Sequence, residues 1–211
     1  VSGIWFTADL HLGHKLLAGL RGFGEDTAAH DAEIARRWDF LVKPQDQVWV
    51  LGDLCIGRGR SHHAALDWIG ERPGVKHLVF GNHDSGHPMH REAHKVQAEY
   101  FRVFASAQAA GIRVIGGRRV MLHHFPFHAD HVETARYPEW RPVDAGQWLI
   151  HGHTHSAEKV RGREIHVGLD AHGLAPVPLK WVEHTIARAE DTSLVLRDDQ
   201  LGTEWKVGTR G

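Results

Sequence analysis

Cysteine is almost missing from this chain: Cys55 is the single thiol in 211 residues. No disulfide can form within it, and a zinc site built on several thiolates is not expected. Net charge is also nearly absent. Lys and Arg number 25 against 26 Asp and Glu, a formal −1, so no overall field draws the protein to nucleic acid or to an anionic membrane. No apolar run approaches the roughly 20 residues of a membrane span. The N-terminus lacks the charged, then apolar, then small-residue order of a secretory signal. It opens at Val1 rather than Met, as expected of a processed or truncated start. A reducing cytoplasm is the compartment expected, with no membrane partner. Repeats, low-complexity tracts and linkers are missing too, so one large domain is expected.

What is present is an ordinary globular composition, 42% hydrophobic and 24% charged, with an unusual 20 histidines. The informative stretch is Val79-Phe80-Gly81-Asn82-His83-Asp84. An apolar run stops at a glycine and three polar residues follow, each able to bind a metal or move a proton. A plain Asn/Asp turn would look the same, so the other strand ends decide the matter. Residues 4–8 read as a strand ending in Asp9-Leu10-His11, then Gly13-His14. Residues 48–51 form a continuous apolar run suited to a strand buried on both faces, ending in Gly52-Asp53. Asp26 or Thr27 caps a helix running to about Val42, with Ile34, Trp38 and Leu41 as its core stripe. A second helix spans about 61–69. Strand and helix thus alternate, which predicts an α/β fold with parallel strands. It gathers Asp9, His11, Asp53, Asn82 and His83 at one sheet edge.

The second half changes texture. A polar helix over about 90–98 precedes expected strands at 100–104, 112–115 and 119–122, with Gly116-Gly117 as a hairpin turn. The third runs into His123-His124-Phe125-Pro126. Residues 128–146 have no clear period and read as a long functional loop. A strand at 148–150 ends in His151-Gly152-His153-Thr154-His155, and 164–167 is expected to pair beside it. Asp9 with His11, and His153 with His155, stand at i and i+2, on one face of an extended chain. Residues 193–197 and 204–207 alternate like a hairpin, so 187–211 reads as a strand extension on a domain spanning 1–186. Mixed nitrogen and oxygen ligands suit Mn, Fe, Zn or Ni better than Mg or Ca. Cys55 is expected to pack inside.

The ordered set D-x-H, G-D, G-N-H-D, H-x-P and G-H-x-H resembles the calcineurin-like metallophosphoesterase superfamily, over residues 4–155. The likeness is nearest to its small stand-alone bacterial and phage members, whose chains begin like Phe6-Thr7-Ala8-Asp9-Leu10-His11-Leu12-Gly13-His14 and carry a late segment like Val167-Gly168-Leu169-Asp170. The resemblance implies a four-layer α-β-β-α sandwich and two divalent transition-metal ions, manganese first, with Fe, Zn or Ni as alternatives. It places Asp9, His11 and His155 on the first ion and Asn82, His124 and His153 on the second, with Asp53 bridging. His83 is then the catalytic residue facing the phosphate. Such ions, about 3.5–4 Å apart, can share a hydroxide for in-line attack, and His83 can protonate the leaving oxygen. His123 and His124 point to opposite faces, so only one can be the ligand. The family's H-(aromatic)-P spacing selects His124.

The superfamily's protein phosphatases carry Asp and Arg where this chain has Ile56 and Gly57. That departure argues against a protein phosphatase and favours a diesterase. Asp84 or a backbone carbonyl is left to orient His83, and Arg58, Arg136 or Arg141 to grip phosphate. His14 is weighed evenly between a role beside the substrate and loop packing. His151 reads as structural, and His62, His63, His87, His90 and His94 as facing solvent. The expected activity is a phosphodiesterase on small phosphodiesters such as cyclic nucleotides. The rivals are a nuclease, a phosphomonoesterase and, remotely, a non-catalytic scaffold. The scaffold is disfavoured because every ligand position is filled, and the nuclease because no basic stripe with interleaved aromatics appears.

Overall fold

The computed structural model describes residues 2–191 except 129 and 131. Strands β1 (Ile4–Thr7), β2 (Gln47–Val50) and β3 (Val75–Val79) pair in parallel, side by side. Helices α1 (Lys15–Leu20) and α2 (Thr27–Leu41) connect the first two strands, and α3 (Arg60–Glu71) the next two. After α4 (Ala93–Tyr100), β4 (Ser106–Gln108) adds a further parallel strand beside β3.

The second sheet is built from β5 (Ala110–Ile115), β6 (Arg118–His123), β7 (Trp148–His151), β8 (Val160–Arg161) and β9 (Glu164–His166), in the order β5-β6-β7-β9-β8. Its inner pairs are parallel and its outer pairs antiparallel. Strand β10 (Val177–Pro178) closes the first sheet antiparallel to β1, and α5 (Leu179–Glu190) follows. Among the described residues, two mixed sheets and five α-helices make this an α/β fold.

Strand alternation divides the core in two. Val48, Val50, Leu78 and Phe80 join Ile34 and Trp38 of α2 and Ala65, Leu66 and Ile69 of α3. Their neighbours Phe6, Trp49, Leu51 and Val79 join Val120, Leu122, Trp148, Ile150 and Ile165 of the second sheet. The first sheet is therefore covered on both faces, which is why residues 48–51 read as a continuous apolar run. Asp26 caps α2, its side chain accepting from the Ala29 N–H at 2.9 Å.

Some expectations are corrected. Residues 100–104 are not a strand: Tyr100 ends α4, and the chain turns before β4. Tyr100 is fully buried, edge-on to Phe80 at 5.0 Å, and its hydroxyl meets Ser85 and the Gly86 N–H. The aromatic richness there serves packing rather than a pleat. The helix expected from about residue 90 begins at Ala93. Helix α5 carries the fold past residue 186, with Val182 and Ile186 in the inter-sheet core. The hairpin expected at 193–207 lies outside the described residues. No helix among the described residues is long and apolar enough to cross a membrane.

Trp38 is fully buried, and its indole N–H donates to the Pro73 carbonyl at 3.0 Å. Trp38→Ala should cost about 3–5 kcal/mol of stability, as aromatic truncations in cores do. Urea unfolding measures it, and a loss under about 1 kcal/mol would show that this layer is not close-packed.

Candidate metal centre

Each polar residue singled out at a strand end does follow a strand. Asp9 and His11 follow β1, Asp53 follows β2, Asn82 and His83 follow β3, His124 follows β6, and His153 and His155 follow β7. These tips are not extended chain. Asp9, His11, Asp53, His153 and His155 all have left-handed backbone, with φ of 60°, 46°, 58°, 71° and 50°. That conformation costs an L-residue roughly 1–2 kcal/mol, and such outliers gather at functional sites. The i, i+2 pairs therefore converge because the chain curls after each strand, not because it stays pleated.

Backbone bonds hold the curl. The Asp9, His11 and Leu12 amides donate to the carbonyls of Gly52, Asp53 and Leu54, at 3.0, 3.0 and 2.8 Å. Asp84 ties in the third tip: its carboxylate accepts from Gly81, Asp53 and Leu54 N–H at 2.8–3.0 Å. This is its observed role, in place of the one expected toward His83. Burial and then the neighbouring Asp53 push its carboxyl up to about 7. Gly52, at φ 87°, must lack a side chain, because a Cβ there would collide with the Gly81 backbone.

Two sets of donor atoms result. In one, His11 Nε2 and His155 Nε2 face each other at 3.2 Å, and Asp9 offers a ligand atom within 4.8 Å of both. In the other, Asn82 Oδ1 lies 3.1 Å from His124 Nε2 and 3.0 Å from His153 Nδ1. Asp53 Oδ2 stands between them, 3.7 Å from His11 Nε2 and 3.5 Å from His124 Nε2. Asp9, Asp53 and His124 also converge within 4.8 Å. The structure thus has His/Asp groups that could hold a metal ion.

The donor chemistry fits a cation. Asp9 and Asp53 are 0% and 1% exposed, and among the described residues no lysine or arginine pairs with either carboxylate. Buried carboxylates need compensating positive charge or hydrogen-bond donors. Burial works against ionising Asp9, yet His166, His155, His124 and His11 hold it well below the usual carboxylate range. Against the same burial, His124, His11 and His83 keep Asp53 low. Burial opposes charge on His124 as well, but Asp53 overrides it and lifts the ring to about 9, so an ion bound there would have to displace its proton. Burial pushes His11 and His153 down to about 3, which leaves them in the neutral form that binds metal.

His83 sits at the mouth, its ring 36% exposed. Its backbone N–H donates to Asp53 Oδ1 at 2.9 Å, and its ring Nε2 lies 4.0 Å from Asp53 Oδ2. The two adjacent histidines separate as alternation requires: His124 turns into the cluster, while His123 Nδ1 accepts from the Phe125 N–H at 3.0 Å. His14 is half-buried, its ring 5.8 Å from that of His11. A hollow of about 400 Å³ opens beside it, with Leu12, Ile56 and Trp68 on its walls and Arg60 and Asp31 among its polar groups. Cys55 packs inside, burial pushing its thiol up to about 12.

Other expectations change. His62 and His87 are buried, not solvent-facing. His62 shares the inner face of α3 with Ala65, Leu66 and Ile69, against Tyr100, while His87 packs on Phe125 and Trp140. His90 is half-buried and bonds the Asn82 carbonyl at 2.9 Å. Arg136 and Arg141 are committed to Asp130, at 3.4 and 2.6 Å, which makes them braces of the 128–146 loop. Arg58 is exposed. His151 is buried and stacks on His166 at 5.3 Å.

Three groups near the centre had no signal in spacing. Asp130 Oδ2 lies 3.2 Å from His153 Nε2, Asp170 Oδ2 lies 2.9 Å from His155 Nδ1, and His166 Nε2 lies 3.8 Å from Asp9. Their partners are too far along the chain for any local pattern. Only the quoted segment 167–170 pointed toward one of them.

Fold and site define an α/β protein with buried His/Asp groups able to take a metal ion. The gene 66 protein of Mycobacterium phage L5 is 46% identical over 184 residues, covering 82% of this chain and 89% of that protein. The gene 66 protein of Mycobacterium phage D29 is 43% identical over 188 residues, covering 84% and 93%. The chain belongs to the family of these mycobacteriophage gene 66 proteins. No family model matches it. Among solved structures, a protein of unknown function from Aquifex aeolicus is similar in fold, with a TM-score of 0.65 and 22% identity, covering 88% of this chain and all of that one.

Buried neutral histidines make stability depend on pH. His87 and His123 are pushed by burial to about 4, and His151 to about 3, against about 6.5 unfolded. Above 6.5 neither state takes the proton. Below it the unfolded chain does and the folded chain does not, so stability falls with pH. Between pH 7 and 5.5 each should cost about 1 kcal/mol in the cation-free protein. Asp84, held up to about 7, and His124, lifted to about 9, work in the opposite sense, so the contribution is read as a difference. The urea midpoint of His87→Gln should fall less than that of the wild type across the window, and an equal fall in both would refute the assignment.

Proposed function

We propose that this chain is a metal-dependent phosphoesterase of the calcineurin-like metallophosphoesterase superfamily, a phosphodiesterase acting on small phosphodiesters such as cyclic nucleotides. One observation carries the proposal: Asp53 Oδ2 stands 3.7 and 3.5 Å from the Nε2 atoms of His11 and His124, which belong to two different donor sets. A carboxylate so placed suits a bridge between two cations. Asp9, His11 and His155 would hold the first ion and Asn82, His124 and His153 the second, with Asp53 shared. Mixed nitrogen and oxygen donors favour manganese, iron, zinc or nickel over magnesium and calcium, and the likeness to the superfamily puts manganese first. Helices on one face of the first sheet and the second sheet on its other face support the four-layer α-β-β-α sandwich expected of that superfamily.

When bound, the ions polarise phosphoryl oxygens and lower the pKa of water. The chain's own residues do the rest. Asp53 and Asp84 lock the tips of β2 and β3 together, which fixes where His83 enters the mouth. From there His83 Nε2 can pass its proton to the leaving oxygen of the ester. The hollow by His14 offers apolar walls and a guanidinium to the organic part of the substrate. Ile56 and Gly57, standing where a protein phosphatase has Asp and Arg, favour a diester over a phosphoprotein.

His83→Ala should lower hydrolysis of bis-p-nitrophenyl phosphate with Mn²⁺ by about 10²–10⁴-fold, the usual worth of a positioned acid, with ion content unchanged. Asp53→Asn should lose ions and activity together, because a neutral amide bridges two cations poorly. Elemental analysis and turnover rates check both. Ion loss in His83→Ala would overturn this division of labour, and an inert, ion-free wild type would overturn the function.

A further inference from the structure

Behind the Asp9, His11 and His155 half-site lies a buried guanidinium. Arg21, the residue after α1, keeps only 4% of its side chain exposed. Its Nε and Nη2 donate to the two oxygens of Asp170, both at 2.9 Å. Nη2 also donates to the Asp9 carbonyl at 2.8 Å, and Nη1 to the Leu10 carbonyl at 3.2 Å. Nη1 meets His30 Nε2 at 3.1 Å as well. Asp170 Oδ2, gripped in this way, accepts from His155 Nδ1 at 2.9 Å.

Two consequences follow from donor and acceptor rules. An ionised carboxylate can only accept, so His155 carries a proton on Nδ1, which leaves Nε2, the nitrogen facing His11, as the one able to bind an ion. The carbonyls held by Arg21 flank Leu10, between Asp9 and His11, both of which have left-handed backbone. A planar fork with five N–H donors can reach a carboxylate and two carbonyls at once, and a lysine cannot. Asp170 is not among the residues whose ligand atoms converge, so its part is played through His155.

We infer that Arg21 and Asp170 are positioning residues that pre-set this half-site for its ion, Arg21 by fixing the Asp9–His11 backbone and Asp170 by fixing the His155 tautomer. The inference rests on the metal-dependent function proposed above. Carboxylates that orient metal-bound histidines typically matter 10–100-fold in ion affinity.

The test titrates Mn²⁺ into the full chain by calorimetry and reads the His155 ring nitrogens by ¹⁵N NMR in the cation-free protein. In Asp170→Asn, one of the two ion affinities should fall about 10–100-fold while the other stays within about threefold. The amide can donate as well as accept, so the His155 ring should become a mixture of tautomers. Arg21→Lys keeps the charge but not the fork, and should weaken the same ion. Both variants lose thermal stability under any account, so all readings are taken well below their melting points. Should Arg21→Lys fail to fold, Asp170→Asn decides alone. Unchanged ion affinities and an unchanged His155 tautomer in a destabilised Asp170→Asn would overturn the inference, leaving the pair a merely structural ion bridge. A wild type that takes up no ion would overturn the function itself, and is told apart because it appears without any substitution.

Discussion

Asp9 and Asp53 are buried carboxylates with no arginine or lysine against them among the described residues, and much else in this molecule answers to that constraint. Two negative charges deep in a protein need positive charge or a dense set of donors. The chain supplies imidazoles and backbone amides. The His153 amide donates to both oxygens of Asp9 at 3.0 Å, and the His83 amide to Asp53. Asp9, His11, Asp53, Asn82, His124 and His153 are all buried, so a divalent ion held among them would meet little competition from solvent for its ligands.

Fixed cations are present near the centre but are kept behind it. Arg21 is matched to Asp170, and Arg141 to Asp130. Each of those carboxylates then touches a histidine of Gly152-His153-Thr154-His155: Asp170 on Nδ1 of His155, Asp130 on Nε2 of His153. The same order, arginine to carboxylate to imidazole, is used on both. Because the carboxylates take opposite ring atoms, the two rings present opposite nitrogens inward, Nε2 from His155 and Nδ1 from His153. An arginine placed directly on Asp9 or Asp53 would satisfy their charge and leave no role for an ion.

Much of the fold was legible because burial on both faces writes itself as unbroken apolar runs. β2 was readable for that reason, β3 from the apolar Leu78 and Val79 that end it, and the β5–β6 hairpin from Gly116-Gly117. Short elements were not. Helix α1 has six residues, under two turns, too few for a period to show. Residues 100–104 misled because aromatic density raises strand propensity, whereas Tyr100 is there to fill the space over Phe80. For the site, the ligand types at strand ends were legible and their supports were not. Asp170 meets Arg21 across 149 residues of sequence, and no local spacing encodes such a pair. His62 and His87 were misjudged because a lone histidine carries no mark of burial until its helix face or turn is known.

The spacing rule used for the i, i+2 pairs reached the right neighbours through the wrong geometry. In a strand, Asp9 and His11 would share one face because the pleat repeats every two residues. Here β1 ends at Thr7 and β7 at His151, so both pairs lie beyond the pleat, in left-handed backbone. A pleat would keep successive ligands about 7 Å apart along the strand, whereas here the curl after the strand sets how they approach each other. It also demands outside support, since the left-handed conformation is unfavourable by itself. That support is what the amide bonds from Asp9, His11 and Leu12 to the loop after β2, and the grip of Arg21, provide. Backbone strain at these tips and the buried charge network beside them are therefore two parts of one solution: the network holds a shape that the chain would not keep alone, and that shape brings the ligands within reach of each other.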